Sequence, residues 1–74
     1  MKNYKTLDKR QVGMRIWELV SVSAMTVEQI AEFLCLSSPR VIYDWMSGKK
    51  IPTLERAYNL ASLFNTTVED VFFK

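Results

Sequence analysis

Residues 26–52, TVEQIAEFLCLSSPRVIYDWMSGKKIP, decide how the rest of the chain is read. Thr26 precedes Gln29 by three positions, the spacing at which a threonine hydroxyl and a glutamine side chain cap a helix start reciprocally. Ser38 stands directly before Pro39, the residue favoured at the first helical position. Two helices are therefore expected, one over about Val27–Leu34 and one over about Pro39–Met46. The first carries Val27, Ile30, Ala31 and Leu34 on one face, and the second carries Ile42, Trp45 and Met46, both at helical spacing. Cys35-Leu36-Ser37 leaves about three residues between them, which predicts a steeply crossed helix-turn-helix. Gly48 can take the positive φ that ends the second helix.

The other side of that second helix carries the functional reading. With Ile42 at the centre of the buried face and a turn of roughly 100° per residue, Arg40, Asp44 and Ser47 point away from the core, flanked by Val41 and Tyr43. These five offer guanidinium donors, a carboxylate, a hydroxyl, a phenol and an apolar patch. Such a set can contact base edges in a major groove, where each base pair presents its own donor and acceptor pattern. A solvated face holding an Arg40–Asp44 pair at i,i+4 fits the same spacing. Lys49 and Lys50 follow directly, placed for phosphates, and the free N–H groups at the starts of the helices at Thr26-Val27, Ser38 and Thr53 are further anion sites.

Several stretches, taken in order, resemble the helix-turn-helix family of phage Cro and repressor proteins, the XRE family. They are Val12-Gly13-Met14-Arg15-Ile16, Met25 to Leu34, Val41 to Lys49, and Ile51-Pro52-Thr53-Leu54 followed by Leu60-Ala61. The resemblance implies an all-α, five-helix, lambda-repressor-like domain over residues 8–74 with its motif at about 26–48. It implies a sequence-specific DNA-binding transcriptional regulator, a repressor, that places Pro39 to Met46 in the major groove. Double-stranded DNA is the implied partner, a homodimer the implied state, and no cofactor is expected. Arg15 matches a family arginine that braces the motif or approaches phosphate. Val27 stands where the family commonly has Gln, Cys35 where it has Gly, and Asp44 where it has a basic or neutral polar residue. Ser37-Ser38 lengthens the turn by one residue.

Composition sets the limits around this reading. The 74 residues make one small domain, and 49% hydrophobic content argues against disorder. Ten basic and eight acidic residues leave +2, and residues 1–38 and 39–74 each hold five basic and four acidic groups. Bulk charge therefore does not establish nucleic-acid binding, and local placement must. Cys35 is the single cysteine, so no intramolecular disulfide forms. The polar start MKNYKTLDKRQ lacks an apolar signal region and no run is long enough to span a membrane, so a cytoplasmic protein is expected.

The flanks read more simply. Met1 to Leu7 is expected to be a flexible arm, read first as a frayed tail and alternatively as an arm whose Lys2 and Lys5 lie against phosphates or in a minor groove. Asp8 with Gln11 starts a helix to about Val22, with Val12, Ile16, Leu19 and Val20 inward and Trp17 as a lid on the core. A fourth helix turns Leu54, Ala57, Leu60, Ala61 and Phe64 inward. Thr67 with Asp70 opens a fifth, in which Val68, Val71 and Phe72 share a face; Phe73 is left to fold back or to meet a second copy.

An enzyme is not expected, since the chain has no His and no Gly-rich phosphate loop or metal-ligand cluster. Two other functions fit part of the pattern. Arg40 to Trp45 followed by Ser47 to Pro52 also resembles the winged motif of excisionases, which requires strands after Pro52. A module of the same fold that binds a protein, such as the antidote of a toxin–antidote pair, fits Val27, Asp44 and the low net charge.

Overall fold

The computed structural model describes residues 7–73, without the Phe73 side chain. The expected arm apart from Leu7, with Lys2 and Lys5, and the expected Phe73 contact lie outside the described residues. The chain forms five helices: α1 (Lys9–Val22), α2 (Val27–Phe33), α3 (Arg40–Met46), α4 (Leu54–Leu63) and α5 (Val68–Phe73). Among the described residues there is no strand. Helix α4 occupies the place where a winged motif would need strands, which sets the excisionase reading aside.

Each helix begins at a side-chain cap. Asp8 Oδ1 accepts from Arg10 N–H at 3.0 Å, and Thr26 and Gln29 form the reciprocal box at 3.1 and 2.9 Å. Ser38 Oγ accepts from Arg40 N–H at 3.1 Å, and Pro39 already has helical dihedrals (φ −62°, ψ −17°), so Ser38 is the working cap of α3. Thr53 and Thr67 accept from Arg56 and Asp70 N–H at 3.3 and 3.1 Å. Each such cap is worth about 1 kcal/mol.

The ends of α2, α3 and α4 share one device. Cys35, Gly48 and Asn65 have φ of 58°, 83° and 57°. Their N–H groups donate to Glu32, Trp45 and Ser62 carbonyls, while the next residue's N–H reaches back to Ala31, Asp44 and Ala61 at 2.8–2.9 Å. This paired pattern satisfies the last carbonyls of each helix and stops it sharply. Gly48 takes the left-handed conformation without steric cost; Cys35 does not. Because Cys35 is exposed, its thiol adds little packing to offset that strain. Cys35→Gly is therefore expected to stabilise the fold by roughly 0.5–1 kcal/mol, the left-handed penalty less the added entropy of glycine. Thermal melting of the two proteins checks it, and an unchanged or lower Tm would show that the strain is absent.

The core draws one fully buried side chain from every helix: Ile16, Ile30, Ile42, Leu60 and Val71, all 0% exposed. Val12, Leu19, Ala31, Leu34, Trp45 and Ala61 complete it. Helix α1 packs against both α3 and α5, and α5 also packs on α4. Two inward expectations are corrected. Trp17 is 58% exposed, because it lies a quarter turn from Ile16 on a side of α1 that no described helix covers. Leu54 is 70% exposed, because as the first residue of α4 it overhangs the inner stripe that begins at Ala57.

Candidate nucleic-acid interface

Helix α3 is held from behind. Ile42 is fully buried and Trp45 nearly so, and Val41 and Met46 pack partly against the core. Gly13 lets α1 come close to it: a Cβ there would stand 2.4 Å from Trp45 O and 2.8 Å from Met46 O, so the backbone of α1 lies directly on the last turn of α3. With one side fixed, the opposite side faces outward. Arg40, Tyr43 and Ser47 are exposed and Asp44 is half-buried.

The expected candidates do not all keep their functional groups free. Arg40 makes no ion pair with Asp44; among the described residues the one ion pair joins Arg15 to Glu18 at 3.3 Å. The Arg40 guanidinium thus remains available. Ser47 Oγ donates to Asp44 O at 3.2 Å, so its hydroxyl retains only acceptor capacity unless it rotates. Val41 contributes an apolar edge rather than a fully exposed side chain.

Lys49 and Lys50 are both exposed, and their N–H groups donate to the same Asp44 carbonyl at 2.9 and 3.2 Å. The loop is in this way tied to the C-terminus of α3, where positive charge is favourable. Thr26, Ser38 and Thr53 use their hydroxyl oxygens as acceptors for backbone N–H, which leaves each O–H free to donate outward. Val27 is half-buried against the core and offers only its backbone N–H. Arg15 ties helices together: its Nε donates to Asp70 O at 3.1 Å and its Nη1 to Glu18, so it braces α1 to α5, and neither bond uses Nη2.

Gln29 is a residue that sequence reasoning used only as a helix signal. Its Oε1 is fixed by the Thr26 N–H, which orients the side-chain NH2 outward at the start of α2. The capping spacing itself carried that information, since one end of a glutamine amide cannot be occupied without aiming the other.

The comparisons with known proteins agree with this architecture. A search of curated sequences finds no significant match. Among solved structures, the solution structure of the SOS-response transcriptional repressor LexA from Eubacterium rectale superposes with a TM-score of 0.80 at 25% identity, covering 86% of this chain and 67% of that one. The crystal structure of the restriction-modification controller protein C.AhdI from Aeromonas hydrophila gives 0.77 at 20% identity, covering 88% and 97%, a likeness of fold. The sequence model for helix-turn-helix, HTH_3, matches residues 23–71, a span that runs from the turn before α2 into α5. With that span holding both α2 and α3, the chain belongs to the helix-turn-helix family.

Proposed function

We propose that this protein is a sequence-specific DNA-binding transcriptional regulator that acts as a repressor, with Pro39 to Met46 in the major groove. The observation that carries the reading is the polarity of α3: Ile42 and Trp45 are sealed inside while Arg40 and Tyr43, the latter 52% exposed, stand outward without side-chain partners among the described residues. The matched family and the LexA likeness support it. Arg40 reads a guanine by two donors, Tyr43 and Val41 supply flanking contact, and Ser47 accepts. Lys49, Lys50, Thr26, Ser38, Thr53 and the Val27 N–H meet phosphates, which set register but carry no sequence information. A two-fold dimer on half-sites about one helical turn apart completes the assembly. Selection of bound fragments from random duplex DNA tests this reading, and failure to enrich any motif would sink it.

Asp44 tunes the same surface. A carboxylate near the duplex repels phosphates unless it accepts from cytosine N4, so it penalises wrong sequences more than the right one. Asp44→Asn is expected to tighten binding to random duplex about three- to tenfold, in line with one charge removed from a phosphate-facing surface. Unchanged affinity for random duplex in a titration would place Asp44 away from the DNA. The carboxylate and the net charge of +2 also favour, as a second reading, a protein-binding module such as an antidote; salt-independent behaviour in a mobility-shift assay on genomic fragments would support it.

A further inference from the structure

The turn that ends α3 does not stand alone. At Gly48, a Cβ would meet Arg10 Cγ at 3.2 Å, Arg10 Cα at 3.3 Å and Arg10 N at 3.6 Å. The first turn of α1 therefore rests on the residue immediately before Lys49 and Lys50. Lys9 and Arg10 are the first two residues of α1, and both are exposed. Two segments far apart in sequence thus bring four cationic side chains to one corner of the molecule.

The placement of two of them runs against local electrostatics. The start of a helix carries partial positive charge and favours acidic side chains, yet the first turn of α1 holds Lys9 and Arg10 and no acid. Asp8 precedes them as the cap, with its Oδ1 engaged by the Arg10 backbone N–H. Neither cation is in an ion pair among the described residues. The Asp8 carboxylate offsets part of this charge at the cap, and the excess left on two exposed cations outside any ion pair among the described residues suits an external anionic partner. A polyanion lying across this corner supplies the missing negative charge.

The geometry points to Lys9 and Arg10 as part of the DNA interface, joining Lys49 and Lys50 in one phosphate-binding surface at the C-terminal end of α3. The inference rests on the DNA-binding reading above and extends it to a helix outside the motif. The surface is sequence-independent in action: it adds affinity and salt dependence, not base choice.

The test compares the full chain with Lys9→Gln/Arg10→Gln and with Lys49→Gln/Lys50→Gln. Glutamine keeps the Arg10 stem over Gly48 while removing the charge. Each protein is titrated against a fluorescein-labelled 24-base-pair duplex of mixed sequence from about 50 to 200 mM salt, a range over which phosphate contacts dominate affinity, and its Tm is measured alone. Both double variants are expected to flatten the log–log salt dependence by about one to two units and to bind about tenfold more weakly near 100 mM salt. The Lys9/Arg10 variant is expected to keep or raise its Tm, since it relieves the charge at the start of α1. If only the Lys49/Lys50 variant flattens the slope, or if the Lys9/Arg10 variant melts lower, the inference is overturned and the DNA-binding reading stands. If the unmodified protein shows no salt-dependent binding to duplex, that reading fails and takes the inference with it.

Discussion

Gly13→Ala is expected to destabilise the protein by about 3 kcal/mol, lowering Tm by roughly 15 °C for a domain of this size. On an isolated helix the same change would stabilise by nearly 1 kcal/mol, because alanine is the better helix former. Here the added methyl meets the Trp45 and Met46 carbonyl oxygens, two backbone atoms that cannot rotate away. Relief requires α1 to lift from α3, which opens the packing of Val12 and Ile16 against Ile42 and Trp45. The opposed signs make the experiment decisive: a rise in Tm would mean that the two helices do not touch there. Because α1 backs α3, the helix proposed to enter the groove, the variant should also bind DNA more weakly even at temperatures where it remains folded.

The second large effect is on recognition. Arg40→Ala is expected to weaken binding to the preferred duplex by about 1–3 kcal/mol, and to lose little when the guanine proposed to pair with it is already replaced. The fold should hold to within about 0.5 kcal/mol, since the side chain is exposed and unpaired while its N–H remains bonded to Ser38. Equal weakening on every sequence would make Arg40 a phosphate contact, and no weakening would remove α3 from the groove. Mobility shifts on the selected site and on its single-base variants separate these outcomes.

Much of the architecture could be read from the chain because the relevant signals are local. Thr26 with Gln29, Ser38 with Pro39, Asp8, Thr53 and Thr67 each mark a helix start within four residues, and each forms its cap. The spacing of Ile30 to Leu34 and of Ile42 to Trp45 fixed which faces turn inward, and the five-helix, all-α domain followed. Where the expectation failed, a neighbour was needed. Trp17 and Leu54 are as apolar as the residues that are buried, but burial requires a facing element, and among the described residues none lies over them.

The sequence by itself determined where each helix begins and ends and which stripe it buries, since caps, turn residues and apolar spacing act over a few residues along one chain segment. Only the tertiary structure decided that Gly13 admits the α3 backbone, that Arg15 braces α1 to α5, and that Arg10 lies beside Gly48 and its two lysines. These are contacts between segments distant in sequence, and their geometry depends on how the helices cross, which no local periodicity encodes.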